Sequence, residues 1–345
     1  MGFHTLAAVQ QFRLLPAMAL LAVVGLLIHR FVEPFEAFAR GISADLRGLA
    51  ELLRAHRTDW RIIPVIVLGC LALVSAAKTL LIPPLGWDSL TYHCVKPAMW
   101  VQTGGRLTMR DVPSGWNYFS LLVGDGETLT AWSMLPFHSD LLTSFLGSVL
   151  WGAVGLILFA AARYLGLSRW MGLMAAFFAL FVPAIHRMIG AGYTEPVLEV
   201  YSLGALLAGA CYLSERNPAH LVLGVTLCGM MAGTESEGLA LAGLMALAFT
   251  AGVLADARFR VPHLRWLLLG AVFAFLCVLP WWVYSYLRTG HPLSPVPLKL
   301  FGITFGAFVP ELLWLQARPD AVSTLAKELE VLRALFSFDR YSPYL

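Results

Sequence analysis

The chain has 345 residues, of which 59% are hydrophobic and only 13% are charged. Soluble domains carry about 25% charged residues, so this composition indicates a protein surrounded by the lipid bilayer. Its 24 Lys and Arg against 21 Asp and Glu give a net charge of only +3. That balance lacks the basic surplus of nucleic-acid-binding proteins, and no nucleic-acid partner is predicted.

Eight apolar runs have the length expected of transmembrane helices, which need about 20 predominantly apolar residues. They lie near 14–32, 62–84, 140–162, 169–186, 196–213, 219–234, 237–254 and 266–287. The first run is predicted to be a membrane anchor rather than a cleaved signal peptide, because it is long and Glu33, Pro34 and Glu36 follow it. The sequence therefore predicts an all-α, polytopic membrane protein.

Arginines in the short loops set the predicted orientation, because cytoplasmic loops of membrane proteins carry an excess of Lys and Arg. The basic loops contain Arg163, Arg169, Arg216, Arg258, Arg260 and Arg265. With these loops in the cytoplasm, the external side receives the N-terminus and residues 85–139, 187–195, 235–237 and 288–345.

Two segments outside the spans have apolar residues at helical spacing. The first, 42–57, carries its arginines away from the apolar face, which is typical of an interfacial cytoplasmic helix. The second, 320–336, presents an apolar stripe that needs a surface to cover it. The membrane, the chain's own bundle and a membrane protein partner are all candidates for that surface.

The longest loop between two spans, 85–139, is rich in aromatic residues and opens with GWDSLTYH. Long ordered loops in compact proteins are usually functional. A helix that starts at Asp88 places Tyr92 on the same face, with His93 on the adjacent face. Two interpretations of Asp88 stay open, a helix cap, which aspartate commonly forms, and a functional carboxylate.

The string GWDSLTYH resembles the first external loop of membrane glycosyltransferases with the GT-C fold. The similarity is greatest to bacterial relatives of the protein O-mannosyltransferase and aminoarabinose transferase group. Three further segments resemble that family in order and spacing, namely 125–132, 193–196 and 289–302. Together the matches cover roughly residues 61–302.

The resemblance implies a GT-C-like bundle with a long helical first external loop. It further implies transfer of a sugar from a polyprenyl-phosphate donor to an extracytoplasmic lipid, glycan or protein. The implied location is the bacterial inner membrane, with the site on the periplasmic face. In that family the first-loop aspartate is the catalytic base or orients the acceptor, a role that the resemblance carries to Asp88. A carboxylate at the membrane boundary can accept a proton from an acceptor hydroxyl.

Acids at the external ends of the later spans are the second group of candidates. Glu195, Glu235 and Glu237 belong to it, because ionisable residues at membrane depth are costly and usually functional. Glu195 is the second predicted catalytic residue. It also fits a first-turn carboxylate that complements the helix dipole, and Glu127 is interpreted mainly in that way.

The leaving polyprenyl phosphate requires cationic or donor groups nearby. The expected phosphate-binding residues are Arg187, His291 and Lys299, and Tyr92 and His93 are expected to contact the substrate beside Asp88. Arg187 departs from the positive-inside pattern, which favours a local anionic partner, although an interfacial anchor explains it equally well.

No metal motif occurs among the five cysteines and nine histidines. The cysteines form no C-x-x-C pair and four lie in apolar runs, so they are interpreted as small apolar residues. A divalent cation between Asp88 and the external glutamates is compatible with the sequence, but their spacing does not require it. No other cofactor is predicted.

The chain also departs from the family. Lys96 stands where members often carry an arginine, and Glu235 stands where many carry a lysine. Family members usually continue with further spans, whereas this sequence ends at Leu345, as expected of a shortened relative, a fragment, or a subunit completed by another protein. The apolar stripe of 320–336 suits the last of these, so the alternative function is a non-catalytic GT-C-derived subunit that scaffolds a membrane protein complex.

The predicted organisation has three parts. Residues 1–60 carry the first transmembrane helix and the interfacial helix, 61–302 form the GT-C-like core, and 303–345 are an external segment. A transporter is the weakest alternative, because the spans lack inverted-repeat symmetry.

Overall fold

The structure is a computed structural model. It describes residues 59–60, 62–105, 117–254, 261–295 and 298–306, and individual residues between 13 and 55. Ten α-helices lie in the described part: α1 Ile62–Leu81, α2 Val95–Thr103, α3 Asp125–Met134, α4 Thr143–Tyr164, α5 Arg169–Leu180, α6 Pro183–Met188, α7 Glu195–Glu215, α8 Pro218–Ala232, α9 Ser236–Leu254 and α10 Val261–Thr289. The remaining elements are a π-helical turn Ser89–His93, a 3-10 turn Asn117–Leu121, and the antiparallel strands β1 Leu298–Leu300 and β2 Ile303–Gly306.

Five helices, α1, α4, α7, α9 and α10, are long and apolar enough to cross a membrane. At about 1.5 Å per residue, a 20-residue helix extends about 30 Å, the thickness of the hydrocarbon core. Many large apolar side chains on these helices are exposed, among them Leu73, Leu156, Leu206, Leu247 and Leu268. The chain is therefore an all-α, multi-pass membrane protein, as the sequence predicts.

Two of the predicted spans are shorter in the structure. The run 169–186 divides into α5 and α6, because Pro183 lacks an N–H and disfavours helical backbone at Val182. The run 219–234 forms α8, which has 15 residues and ends at Ala232. At about 1.5 Å per residue, α5 and α8 extend only about 18 and 22 Å, less than the core thickness.

Other predicted segments lie partly or wholly outside the described residues. The residues of 14–32 and 42–57 that the structure describes are all helical. The predicted helix 320–336 lies entirely outside the described part, and of the segment 303–345 only strand β2 is described. These predictions stay predictions.

Helix α8 lies in the middle of the bundle and packs against α7, α9 and α10. Its side chains in the main core are Leu221, Val225, Cys228 and Met231. At Gly229 the backbones of α8 and α10 meet, and a Cβ there would lie 2.3 Å from the Cα of Ala274. Small residues at such crossings are typical of membrane helices, which associate through close van der Waals packing.

The described part of the first loop folds largely into helix, as predicted. It contains the π-helical turn, α2, the 3-10 turn and α3. An apolar cluster joins this loop to α10; its members are Trp100, Val101, Ala131, Met134, Leu135 and Trp281. This packing brings the polar residues of the loop to the same end of the bundle as the start of α7.

Candidate functional site

Four segments that are distant in sequence meet at one end of the bundle, here called the polar end. They are 89–93, the start of α3, residues 193–195 and the turn 233–235. The Asp125 N–H donates to the Gly233 carbonyl at 2.9 Å. Gly126 packs against Thr194 so closely that a Cβ would lie 2.5 Å from the Thr194 Cγ2. Three of these segments lie in loops that the sequence predicts to be external, and the turn 233–235 lies where the predicted span 219–234 meets such a loop.

Three buried ionisable side chains, His93, Lys96 and Glu127, meet at the polar end. Lys96 Nζ donates to Glu127 Oε1 at 3.0 Å, and His93 Nδ1 lies 3.2 Å from the same oxygen. Lys96 Nζ also donates to the Leu122 carbonyl at 3.2 Å. Their exposed fractions are 2%, 0% and 1%. Burying a charge costs several kcal/mol per ion, and the contacts among these three side chains offset that cost.

The π-helical turn positions two of these side chains. Its widened hydrogen bond runs from the Cys94 N–H to the Ser89 carbonyl at 3.0 Å, and α2 begins directly afterwards. His93 and Lys96, three residues apart, both reach Glu127 from this segment. Single π-helical turns are frequent at functional sites.

Aromatic rings surround the buried ammonium group. Lys96 Nζ lies 5.9 Å from the ring centroid of Tyr92 and 5.8 Å from that of Trp100. At about 6 Å a ring face attracts a cation, more strongly when water is excluded. Tyr92 is itself stacked on Phe119, with 4.6 Å between centroids.

Glu235 closes the group on the other side of His93. Its Oε1 lies 3.6 Å from His93 Nε2 and accepts a hydrogen bond from the Thr194 hydroxyl. Glu235 is 18% exposed, which makes it more exposed than His93, Lys96 and Glu127. We call His93, Lys96, Glu127 and Glu235 the charged centre.

Burial and mutual contacts set the protonation of the charged centre. Burial, and then the negative charge of Glu127, raise the pKa of Glu235 to about 7 against the opposing effect of His93. Burial lowers the pKa of His93, but hydrogen bonding to Glu127 and the charges of Glu127 and Glu235 outweigh it, and the net pKa is raised. Burial raises the pKa of Glu127, but Lys96 and His93 outweigh it and the net pKa is lowered. Lys96 and Glu127 form an ion pair at 3.0 Å, and the pKa of Glu235 lies close to neutral pH.

Asp88 is half-buried at the edge of the polar end. Its side chain makes no capping hydrogen bond to the following turn, so the helix-cap interpretation lacks its defining bond. Burial, then Glu235 and Asp88, raise the pKa of Tyr92. Burial and then Asp88 raise the pKa of Tyr193. Both phenols therefore stay protonated and can donate hydrogen bonds near Asp88.

The predicted acids differ in placement. Glu195 is half-buried in the first turn of α7, as the dipole interpretation requires, yet its Oε2 is buried without a hydrogen-bond partner in the described part of the chain. Glu237 is exposed in the first turn of α9. The exposed position of Glu237 separates it from the buried charged centre.

The predicted phosphate-binding residues are less well defined by the structure. The His291 carbonyl accepts hydrogen bonds from the hydroxyls of Ser285 at 2.9 Å and Thr289 at 3.0 Å, which fixes the turn after α10. The side chains of Arg187 in α6 and Lys299 in β1 lie outside the described part of the structure. A phosphate clamp from these three residues stays a prediction.

A narrow cleft opens beside Glu235. Among its lining residues are Ser236, Trp281, Trp282, Ser285, Leu293 and Pro295. Trp281 Nε1 donates to Asp125 Oδ1 at 2.8 Å and thereby holds one wall of the cleft against α3. The volume is about 20 Å³, space for about one water molecule. A sugar therefore enters only if these walls separate.

Three residues around the charged centre do not stand out in the sequence as functional. Lys96 differs from the family pattern, Glu127 fits a dipole-complementing carboxylate, and Thr194 merely precedes a candidate acid. The dipole interpretation of Glu127 is incomplete, because its carboxylate also binds Lys96 and His93. The available signal is the three-residue spacing of His93 and Lys96, which puts two ionisable groups on one helical face.

In the described part of the chain, the external carboxylates form no set of three ligand groups close enough to share a metal ion. The described residues contain one set of three potential metal ligands, Cys211, Glu215 and His220, and it lies at the opposite end of α7. The structure therefore gives no support to a divalent cation beside Asp88.

No family model matches the chain, and no curated protein or solved structure is significantly similar to it. The class of protein, an α-helical multi-pass membrane protein, rests on the five helices of spanning length. The function has to be inferred from the polar end and from the sequence resemblance.

Proposed function

We propose that the chain is a membrane glycosyltransferase that moves a sugar from a polyprenyl-phosphate donor to an extracytoplasmic acceptor. One observation supports this proposal above the others. The segments that resemble GT-C enzymes, 86–93, 125–132 and 193–196, meet at the polar end, and the fourth, 289–302, contributes to the cleft beside Glu235.

The proposed reaction requires a base at the acceptor oxygen. The acceptor oxygen bonds to the anomeric carbon of the sugar, and the bond from that carbon to the donor phosphate breaks. The polyprenyl phosphate leaves with the bonding electrons, and a carboxylate takes the acceptor proton. Asp88 has this role by resemblance, and Tyr92 and Tyr193 supply hydrogen-bond donors next to it.

Glu235, in the charged centre, is a second carboxylate that supports proton transfer from the acceptor. With a pKa of about 7 it is part protonated and part ionised at neutral pH, which is the condition for efficient general acid–base catalysis. We infer that Glu235 receives the proton from Asp88 or from the acceptor and shares it with His93, 3.6 Å away.

Lys96 does not contact the leaving phosphate in this proposal. Its ammonium group is fully buried and committed to Glu127. The cations for the leaving group are then Arg187 and Lys299, as the sequence predicts. Replacing either residue with alanine should slow transfer while leaving the charged centre intact.

The test is transfer by the purified chain in liposomes that contain radiolabelled polyprenyl-phosphate hexoses and a lipid or peptide acceptor. Asp88→Asn should abolish transfer without changing the elution volume or melting temperature. Asp140→Asn is the matched control, since it neutralises an exposed acid that belongs to none of the candidate sites, and it should retain activity. A fully active Asp88→Asn variant would exclude Asp88 as the base.

A second function, a non-catalytic scaffold subunit, is favoured by a different observation. The charged centre is internally compensated and nearly closed to solvent, and the cleft beside it has a volume of only about 20 Å³. Such a subunit copurifies with stoichiometric membrane protein partners and shows no turnover of any polyprenyl-phosphate hexose. In that case Asp88→Asn leaves the assembly intact, whereas deletion of 320–336 disrupts it.

A further inference from the structure

The end of the bundle opposite the polar end carries three side chains with metal-binding chemistry. Cys211 and Glu215 lie in the last part of α7, and His220 lies in the first turn of α8. The thiol, one carboxylate oxygen and one imidazole nitrogen all lie within 4.8 Å of one another. We propose that Cys211, Glu215 and His220 form a zinc-binding site.

The local fold explains how these residues meet. Cys211 and Glu215 are four residues apart, so they share one face of α7. Helix α7 ends at Glu215, Arg216 takes a left-handed backbone with φ of 57°, and Asn217 starts α8 by accepting from the Ala219 N–H at 3.0 Å. This short connection turns the chain back, and His220 faces the last turn of α7.

The distances fit zinc after small side-chain movements. Zinc binds sulfur at about 2.3 Å and imidazole nitrogen or carboxylate oxygen at about 2.0–2.2 Å, so ligand atoms around a tetrahedral ion lie roughly 3.3–3.8 Å apart. His220 Nδ1 and Glu215 Oε2 are already 3.5 Å apart. Their side chains are 28% and 51% exposed, which leaves them room to bring the remaining ligand atoms closer.

An unsatisfied nitrogen is the second observation. His220 Nδ1 is buried from solvent and has no hydrogen-bond partner within the described residues, although the Glu215 carboxylate is near. Buried polar atoms are normally paired, so an unpaired one beside a carboxylate calls for an explanation. A metal ion between nitrogen and carboxylate would satisfy both groups.

The charges also balance. A zinc ion that binds the Cys211 thiol releases its proton, and the resulting thiolate with the Glu215 carboxylate neutralises the ion. The neighbouring cation, Arg216, lies with its guanidinium 5.8 Å from the ring of Tyr212, one residue away from Cys211. Three protein ligands leave the fourth position to water. The predicted orientation puts the site in the reducing cytoplasm, where thiols stay free.

The experiment is a cobalt titration of the full-length chain, purified in detergent without a polyhistidine tag. Co²⁺ replaces zinc and, when bound by a thiolate, gives a sulfur-to-metal charge-transfer absorption. One equivalent should bind with that absorption, and Zn²⁺ should displace it. Removal of one ligand should weaken binding by more than about 100-fold, because even residues behind the ligands contribute about 10–100-fold.

Variants make the assignment specific. Cys211→Ser should remove the charge-transfer absorption, and His220→Ala and Glu215→Gln should each weaken binding. Cys70→Ser is the matched control, because Cys70 is an exposed free cysteine on α1. Circular dichroism of each variant establishes that it is folded.

The proposal is overturned by binding without the charge-transfer absorption, by an absorption that persists in folded Cys211→Ser, or by equal loss in Cys70→Ser. Failure of the wild-type chain to bind Co²⁺ or Zn²⁺ at micromolar concentration overturns it as well. None of these results bears on the transferase proposal, because that site lies at the other end of the bundle.

Discussion

Replacement of Lys96 by methionine tests the charged centre most directly. The substitution keeps an unbranched side chain, one atom shorter, and removes the fully buried ammonium group that bonds to Glu127. Breaking a buried ion pair from one side costs about 3–5 kcal/mol, because the remaining charge stays desolvated. His93 still contacts Glu127 at 3.2 Å, so we expect a value near the lower end of this range.

The melting temperature converts this energy into an observable. Unfolding entropy is about 2.1 cal/mol/K per residue, which for 345 residues makes about 3 kcal/mol equivalent to about 4 °C. The assay is thermal unfolding in detergent, followed by intrinsic tryptophan fluorescence. Lys78→Met is the matched control, because Lys78 is an exposed lysine near the end of α1, and its melting temperature should not change.

A double variant distinguishes loss of the pair from loss of packing. Replacing Lys96 by Met and Glu127 by Leu together removes both charges, and such replacements are often neutral or stabilising. The double variant should therefore recover most of the loss. An unchanged melting temperature in Lys96→Met, or a double variant less stable than either single one, would refute the buried ion pair.

The pKa of Glu235 is raised from 4.5 to about 7, and the pKa of His93 is also raised. The folded chain therefore binds more protons than the unfolded chain between about pH 4.5 and 7, and its stability should fall as pH rises through that window. Glu235→Gln should flatten the melting temperature against pH relative to wild type, and an equally steep profile would contradict the raised pKa. Gly229→Ala should cost about 1–3 kcal/mol by overpacking, because the new Cβ meets the backbone of Ala274 at 2.3 Å. Gly243→Ala, whose Cβ would have no neighbour within 4 Å, should instead raise the melting temperature; the reverse order would argue against the α8–α10 crossing.

Composition and run length predict the class of the fold because the thickness of the bilayer dictates helix length. They predict the number of full-length spans less well. A run such as 169–186 is uniformly apolar, but Pro183 removes a backbone donor and divides it into two helices. Hydrophobicity alone does not carry that information.

The candidate site was accessible from sequence only in part. Asp88, His93 and Glu235 are identifiable because polar residues at membrane boundaries are costly. The pairing of Lys96 with Glu127, 31 residues apart, depends on how α2 and α3 pack, which residue spacing does not encode. The same holds for Thr194, whose position follows from its close contact with Gly126.

The division of the charged centre between early and late segments has a consequence for biogenesis. Lys96 and Glu127 both belong to the first loop, so their ion pair can form once α1 to α4 have been synthesised. Thr194 and Glu235 come from later in the chain, and they close the centre only after α8 has been inserted. Until then His93 lacks one of its two acidic neighbours. Unpaired charges are costly in lipid. The first loop is therefore expected to remain on the aqueous side of the membrane until α7 and α8 have been inserted and Thr194 and Glu235 have joined the charged centre.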